Sequence, residues 1–405
     1  MTAPTAAAAP KARDTVLQLA ASQIREVANA GMGDPDVLPF WFGEPDEVTP
    51  EFIRNAGVES LARGDTFYTE NLGIPELREA IAQYVTRLHR PASASEVAAT
   101  SSGMSALMLA TQALVGPGDR VVVVTPLWPN LTEIPKILGG DVIRISLRFA
   151  PTGWTLDLDR LLAALTPGTR ALLINSPNNP TGWTIDAAAQ RAILTHCRKH
   201  GIWIIADDVY ERLCYTEAAR ANPSVCAPSF LDIAEAGERL ISTNSFSKAW
   251  LMTGWRLGWL VAPASLLPQF AKLIEYNTSC APGFVQCAGV VAVRDGEPVV
   301  AHTRERFRHA RDLLLGELAT IPTVTAAVPA GAMYAFFRIA GVTDSLAFCK
   351  ALVHEAKLGL APGIAFGPEG EGYFRWCFAA GDARLHDGLE RLRAFLGKYD
   401  AARSR

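Results

Sequence analysis

Cysteine is scarce in this sequence of 405 residues, and its seven copies form no Cys-x-x-Cys pair. An odd number of cysteines at irregular spacing is not typical of a disulfide framework or a zinc site. We therefore expect buried free thiols in a reducing compartment, and we place the protein in the cytoplasm. His196 and His200 have helical i, i+4 spacing but no third ligand motif. We interpret them as part of a basic helix end, and we expect no metal.

Long apolar runs and blocks of one charge are also missing. No segment approaches the ~20 apolar residues that a membrane-spanning helix needs. Charged residues make up 20% of the chain and its net charge is −3, with no basic block. A nucleic-acid or membrane partner is therefore not expected. The chain also lacks a Gly-x-Gly-x-x-Gly or Walker loop, so a nucleotide-binding domain is not supported.

Strand and helix signals alternate through the first two-thirds of the chain. Short apolar runs at 121–125, 171–175 and 202–206 are bounded by breakers, which is typical of parallel strands covered on both faces. Helical stretches at 75–90 and 186–200 alternate with such runs. The repeated strand–helix–strand pattern predicts an α/β fold with a mostly parallel, doubly wound sheet.

The last hundred residues have a different pattern. A long helix from about 298 to 320 precedes short strands near Val324 and Tyr334, then a helix at 345–357, a strand at 373–378 and a final helix. This order predicts a smaller α+β domain.

The predicted domain organisation divides the chain into three parts. We predict a flexible tail at 1–14 and a large domain at 45–295. The small domain then combines 15–44 with 296–405.

The most informative segment surrounds Lys248, in Ser-Phe-Ser-Lys-Ala-Trp at 245–250. Within ten positions on either side the only acidic residue is Glu238, and the neighbours are apolar or carry hydroxyl groups. Such surroundings destabilise an ammonium and make the amine nucleophilic. A plain surface lysine is the alternative, but Trp250 and Trp255 nearby make a solvated loop improbable.

This segment resembles the Schiff-base motif of the class I and II aminotransferases, which are fold-type I enzymes that depend on pyridoxal 5'-phosphate (PLP). The resemblance implies that Lys248 binds the aldehyde of PLP. It also implies that Ser245 and Arg256 hold the phosphate, a role that suits the permanent charge of a guanidinium.

Three further motifs resemble the pyridine-binding half of the family's cofactor site. In Asn-Asn-Pro-Thr-Gly at 178–182, the resemblance implies that Asn179 hydrogen-bonds the phenolic oxygen of PLP. In Asp-Asp-Val-Tyr at 207–210, it places Asp207 against the pyridine nitrogen, and Tyr210 shares the phenolic oxygen. Asp208 is interpreted as a solvated loop acid. Trp128 matches an aromatic residue that stacks on the pyridine ring and borders the substrate.

The phosphate and carboxylate ends have counterparts as well. The resemblance assigns Ser102, Gly103 and Met104, at a helix start, to the phosphate cradle. It implies that Tyr68 reaches the phosphate of a neighbouring subunit, so we expect a homodimer with shared active sites. Arg375 would bind the substrate α-carboxylate with Gly43 and Asn179 nearby. With these segments, seven motifs occur in the family's order. The resemblance covers about residues 31 to 395.

The resemblance implies transamination between an L-amino acid and a 2-oxo acid, through a Schiff base on Lys248 and a pyridoxamine phosphate intermediate. A PLP lyase or synthase, such as a carbon–sulfur lyase, remains open because the cofactor residues serve all such chemistry. A ligand-sensing regulator is less favoured, because such proteins carry an added DNA-binding module. Here fewer than 45 residues precede the core motifs, and that segment is not basic.

The substrate side chain is the least determined feature. A dicarboxylic substrate needs a second cation, but the segment at 276–286 has no basic residue and Met104 stands where some relatives have lysine. We therefore favour apolar or aromatic donors, with glutamate or 2-oxoglutarate as the common partner. Arg25 or Arg148 could still supply the cation. Aromatic residues are expected around the entrance: Trp41, Phe42, Trp128 and Trp183.

Overall fold

The structure of the protein, a computed structural model, describes residues 11–217, 220 and 225–403. The strands, in chain order, are β1 (Leu38–Pro39), β2 (Val97–Thr100), β3 (Arg120–Thr125), β4 (Asp141–Ser146), β5 (Arg148–Ala150), β6 (Gly153–Thr155), β7 (Thr169–Asn175), β8 (Trp203–Asp207), β9 (Leu240–Ser245), β10 (Gly258–Val261), β11 (Val324–Ala326), β12 (Tyr334–Ile339), β13 (Leu358–Gly359), β14 (Ala361–Pro362) and β15 (Tyr373–Cys377).

Helices alternate with these strands and cover them. In chain order they are α1 (Asp14–Leu17), α2 (Gln23–Gly31), α3 (Glu51–Arg63), α4 (Pro75–Leu88), α5 (Gly103–Leu114), α6 (Asn130–Ile137), α7 (Leu158–Ala164), α8 (Ala187–His200), α9 (Leu267–Glu275), α10 (Gly283–Asp295), α11 (Glu297–Leu318), α12 (Ser345–Ala356) and α13 (Asp382–Arg403).

The large sheet has seven strands in the order β2-β10-β9-β8-β7-β3-β4. Strand β10 runs antiparallel to β2 and β9, and the other neighbours are parallel. Alternate residues of its strands join two separate apolar cores: Val122 and Leu172 pack with α4 and α8, while Val123 and Leu173 pack with α5 and α9. Both faces are therefore buried, and the predicted doubly wound α/β class is confirmed.

The topology sets the position of the site. Strands β7, β8 and β9 are parallel neighbours, and they end at Asn175, Asp207 and Ser245. The carboxyl ends of parallel strands lie at one edge of a sheet, where ligands bind in open α/β folds. Residues far apart in the chain thus meet at this edge.

A second, antiparallel sheet has the order β11-β12-β15-β14, and β1 pairs with β13. One apolar core joins residues of α2 and β1 with residues of 307–396, including Val27, Phe40 and Phe337. This arrangement agrees with a small domain that uses both ends of the chain. The boundaries at 44 and 296 stay predictions.

Most predicted elements agree with the structure to within a few residues. The helix predicted at 186–200 is α8, and Asp186 caps it by accepting from the backbone N–H groups of Ala188 and Ala189. The predicted tail includes the start of α1 at Asp14, while residues 1–10 lie outside the described part.

The structure bears on two further expectations: free thiols, and the absence of a membrane-spanning helix. All seven cysteines are free, and five of them are buried, but Cys280 and Cys287 are partly exposed. No described helix is both long and apolar enough to cross a membrane.

Candidate active site

A cavity of about 550 Å³ opens at the carboxyl edge of the large sheet. Its volume is in the range of small-molecule sites. The cavity brings together the following predicted site residues: Gly43, Gly103, Met104, Trp128, Asn179, Asp207, Tyr210, Ser245, Lys248, Arg256 and Arg375. These residues come from seven separate stretches of the chain, so only the fold brings them together.

Lys248 follows β9 by three residues and reaches into the cavity. Its Nζ donates a hydrogen bond to the backbone carbonyl of Gly43. Burial lowers the pKa of Lys248 from its ordinary 10.5 to about 8. A much larger fraction of this amine is neutral near neutral pH than for an exposed lysine, so it can act as a nucleophile or base.

Asp207, the last residue of β8, is buried, with 5% of its surface exposed. Burial, and then the neighbouring charge of Asp208, raise the pKa of Asp207 to about 7. Its carboxyl group accepts one long hydrogen bond, 3.4 Å from the N–H of Val209. A cationic ligand at this carboxyl group would satisfy it and favour its ionised form.

Asn179 and Tyr210 line the cavity between these groups, and two residues that the sequence analysis did not single out hold them. The side chain of Asn175 accepts from the N–H of Asn179 at 2.7 Å and donates to the carbonyl of Asp207 at 3.0 Å. The hydroxyl groups of Tyr210 and Tyr334 are 2.7 Å apart. Tyr334 lies on β12 of the small sheet, so this contact joins the two sheets at the site.

One end of the cavity has the donors of an anion site. Gly103 begins α5, and a Cβ there would lie 2.9 Å from the Cβ of Ser245, so the close approach requires glycine. Ser247, missed by the sequence analysis, has its Oγ 2.9 Å from that of Ser245 and accepts from Arg256 at 3.4 Å. Hydroxyl groups, a guanidinium and a helix N-terminus together suit a phosphate group.

Ser102 does not lie where its predicted role in the phosphate cradle requires. Its Oγ accepts from the N–H of Ser105 and caps α5, and the residue does not line the cavity. Its φ of 136° lies in a region that favours glycine, so the turn into α5 is tightly constrained. Its support for the cradle is therefore indirect.

Arg375 lies on β15 and is 2% exposed. It donates to Asn179 Oδ1 at 3.0 Å and to the carbonyl of Trp41. Its guanidinium carbon lies 4.4 Å from the ring centre of Tyr334 and 4.9 Å from that of Phe366. Its Nε has no hydrogen-bond partner among the described residues. The buried cation therefore keeps a donor for an anion, as the predicted α-carboxylate role requires.

Gly43 lies beside this group. A Cβ at Gly43 would lie 1.9 Å from the hydroxyl oxygen of Tyr334, so any side chain would displace that tyrosine. The backbone of Gly43 can therefore approach the cavity, and its contact with the substrate carboxylate stays a prediction.

Tyr68 does not join the cavity. It is 88% exposed in the single chain, and Phe67 beside it is 84% exposed. A large exposed aromatic pair is consistent with an interface between subunits.

Three expectations are wrong. Asp208 is not a solvated loop acid: it is 4% exposed and accepts from Ser242 on β9 and from Ser229 in the loop that precedes β9. Trp41 and Trp183 do not border the entrance, since both are buried in apolar cores.

His196 was expected to have no ligand role. Its Nε2 lies 2.7 Å from the carbonyl of Leu165, and its ring packs on that of His200.

Comparison with known proteins gives the family. The family model for aminotransferase class I and II matches residues 35–392. An aspartate aminotransferase of Pyrococcus horikoshii is 33% identical over 387 residues, which cover 95% of this chain and 96% of that protein. The chain belongs to the class I and II aminotransferases, and it is an enzyme of that class.

Solved structures agree with this assignment. An aspartate aminotransferase from Thermus thermophilus with maleate has a TM-score of 0.86 at 30% identity, covering 95% of this chain and 99% of that chain. An aromatic aminotransferase from Pyrococcus horikoshii has a TM-score of 0.84 at 30% identity, covering 93% and 99%. The expected fold-type I architecture is confirmed.

Proposed function

We propose that this enzyme is a PLP-dependent aminotransferase that holds the aldehyde of PLP covalently on Lys248. The observation that supports this most is the buried lysine amine itself, whose pKa is lowered to about 8, inside a cavity with an anion site and a buried carboxyl group. Each of these three groups matches one end of the cofactor: the aldehyde, the phosphate and the pyridine nitrogen.

The residues present fit PLP by their donor chemistry. Ser245, Ser247, Arg256 and the start of α5 supply donors for a phosphate. Among the described residues the carboxyl group of Asp207 accepts only one long hydrogen bond, and it would pair with a protonated pyridine nitrogen. Bound PLP withdraws electrons from the substrate Cα and so stabilises a carbanion there.

The residues of the chain have distinct roles in this proposal. Arg375 binds the α-carboxylate through its guanidinium and orients the Cα–H bond. The Nζ of Lys248, in its neutral form, takes the proton from Cα as general base and returns it as general acid. Asn179 and Tyr210 hold the phenolic oxygen of the cofactor, and Asp207 keeps its pyridine nitrogen protonated.

The cavity mouth indicates two kinds of substrate. Phe42, Trp128 and Leu107 supply apolar surface for an apolar or aromatic amino acid. Arg25 on α2 also lines the cavity, with its guanidinium carbon 4.6 Å from the ring centre of Phe42. Arg148 on β5 pairs with Asp157 and does not line the cavity. We propose that Arg25 binds the distal carboxylate of glutamate or 2-oxoglutarate.

A homodimer in the cytoplasm is part of the proposal. The exposed pair Phe67 and Tyr68, and Tyr276 at 90% exposure, supply apolar surface for the contact. Tyr68 would then reach the phosphate site of the other subunit. Sedimentation at assay concentration should give a dimer, and Tyr68→Phe should weaken PLP binding without changing the sedimentation coefficient. A fully active monomer would contradict this part.

The test of the reaction class is a half-reaction without any 2-oxo acid. Adding phenylalanine or glutamate to the enzyme should change the absorption of the cofactor and release one equivalent of 2-oxo acid per site. Release of pyruvate and ammonia from cysteine, with continued turnover, would instead indicate a carbon–sulfur lyase.

A further inference from the structure

A buried network of charged and polar groups lies behind the end of β8, on the side of Asp207 that faces away from the cavity. Each member is buried, with at most 5% of the residue or of its side chain exposed, except Asp232, whose side chain is 36% exposed. They are His89, Ser229, Asp232, Asp208, Glu211, Ser242 and Asn244. The proposed reaction uses none of them.

His89 lies between two carboxylates. Its Nδ1 is 2.7 Å from Asp232 Oδ1, and its Nε2 is 3.0 Å from Glu211 Oε2. The Sγ of Cys226 is 3.9 Å from the same Nε2. Burial alone would lower the pKa of His89, but Asp232, Cys226 and Glu211 outweigh burial and raise it well above its ordinary value. His89 is therefore a buried cation near neutral pH.

A continuous chain of hydrogen bonds joins His89 to Asp208. Asp232, which contacts His89 through Oδ1, accepts from the N–H of Ser229 through Oδ2 at 2.8 Å. The hydroxyl of Ser229 then donates to Asp208 Oδ2 at 3.1 Å, and Ser242 donates to the same oxygen at 2.6 Å. Asp208 directly follows Asp207, the last residue of β8. The N–H of Asp208 still donates to the carbonyl of Thr243 on β9 at 2.9 Å, and successive side chains of an extended chain point to opposite faces.

A second branch reaches the anion end of the cavity. Glu211 Oε1 accepts from Tyr84 at 2.8 Å and from Asn244 at 2.8 Å. Asn244 Oδ1 in turn accepts from the N–H of Ser245 at 2.8 Å. The network therefore adjoins two cavity residues: Asp208 directly follows Asp207 in the chain, and Asn244 bonds the backbone N–H of Ser245.

The charges in this network are interdependent. Burial and the charge of Glu211 raise the pKa of Asp208, while Ser242, His89 and Ser229 lower it. With a neutral residue at 89, an ionised Asp208 would be buried beside Glu211 without a cation nearby, which is energetically costly. Asp208 would then take up a proton, which removes its charge and this cost. Asp207 would thereby lose the anion directly behind it.

We propose that His89 is a positioning residue that keeps Asp208 ionised behind Asp207, so that the cavity favours a protonated pyridine nitrogen. This inference rests on the proposed use of PLP. His89 and Asp208 touch neither the cofactor nor the substrate, so they act through Asp207. The inference concerns one contact, that of the pyridine nitrogen, because the side chains of His89 and Asp208 bond no described residue of the phosphate or aldehyde sites directly.

The test compares two cofactors. Enzyme freed of cofactor is titrated by tryptophan fluorescence with PLP and with its 1-deaza analogue, in which C–H replaces the pyridine nitrogen. In the unmodified enzyme PLP should bind more tightly than the analogue. In His89→Gln and Asp208→Asn this preference should fall about tenfold, which corresponds to one pKa unit at the nitrogen, while affinity for the analogue stays within threefold.

The controls separate the possible failures. His309→Gln removes an exposed histidine, paired with Asp382, and should leave both affinities unchanged. The inference would be overturned if His89→Gln and Asp208→Asn lowered the affinities for PLP and for the analogue equally, or changed neither affinity. Either result would leave the proposed function intact. If the unmodified enzyme binds neither cofactor, the proposed function itself fails.

Discussion

Asp207 and Asp208 are neighbours in the chain, both almost fully buried, yet they have opposite surroundings. Asp207 lines the cavity and accepts a single hydrogen bond of 3.4 Å. Asp208 accepts from two hydroxyl groups and belongs to a network with a buried histidine. Buried polar groups are almost always hydrogen-bonded. A carboxyl group with so little compensation therefore marks a ligand site, while one held by two hydroxyl groups marks support for it.

The same contrast extends to the cations. Arg212, away from the cavity, is 1% exposed and pairs with Glu297. Arg375, in the cavity, keeps its Nε without a partner among the described residues, and Lys248 donates only to a backbone carbonyl. The cavity thus concentrates buried charge that the protein leaves unsatisfied, and such sites lower stability in exchange for function.

The largest effect is expected at Lys248. Lys248→Ala should abolish covalent attachment of PLP and lower kcat by at least about 10³-fold, within the range of a positioned acid–base group. Lys350→Ala removes a surface lysine paired with Glu26 and should leave kcat unchanged. Turnover assays of both variants check this, and a Lys248→Ala enzyme with a kcat like that of the control would refute the role.

Arg375 should come next. Arg375→Lys keeps the charge but loses the planar pair of donors, so kcat/KM for every amino acid should fall about 10²-fold, or roughly 3 kcal/mol. PLP binding should not change, since Arg375 contacts the substrate rather than the cofactor. Steady-state kinetics with a fluorescence titration of PLP separates the two effects. A drop for only one amino acid would show that Arg375 does not bind the common α-carboxylate.

Asp207 provides a test of stability rather than rate. Its pKa is raised in the folded protein to about 7 from 3.8, so the unfolded state releases the proton first. Folding stability is therefore lost as pH rises from about 4 to 7, and the whole penalty is present above pH 7. Asp207→Asn should make the cofactor-free protein more stable by a few kcal/mol at pH 8, and by much less at pH 4. Urea unfolding at both pH values checks this; equal differences would contradict the titration.

The smallest effect is expected at the cavity mouth. Arg25 is exposed, so Arg25→Gln should lower kcat/KM for 2-oxoglutarate only about fivefold, as for a solvent-screened ion pair. The value for phenylpyruvate, which has no distal carboxylate, should stay the same. Equal losses for both oxo acids would assign Arg25 a structural role, and Arg148→Gln serves as a control outside the cavity.

Local sequence patterns predicted the fold class, and the resemblance to the aminotransferases supplied most of the predicted cavity residues. Apolar runs located β3, β7 and β8, and the motifs that follow β7 and β8 contain Asn179 and Asp207. Lys248 was located by its own motif, which follows β9. Ligand groups in this fold follow the strands directly. Ser247 lies between two predicted residues, and its hydroxyl group was a usable signal that the sequence analysis passed over.

Contacts between distant segments were not predictable in the same way. Tyr334 meets Tyr210 across 124 positions, and nothing in its own segment indicates that pairing. Asp208 was wrongly interpreted as solvated, because its partner Ser242 lies 34 positions away on β9. Trp183 looked like an entrance residue by its motif, but the large core of the sheet buries it.

The most direct test of the account is to identify the lysine that carries the cofactor. The PLP-loaded enzyme is reduced with borohydride, digested, and its peptides are mapped by mass spectrometry. The account predicts one phosphopyridoxyl group per chain, on the peptide that contains Lys248. The same tag on any other lysine, or no tag on an enzyme with full PLP-dependent activity, would contradict it.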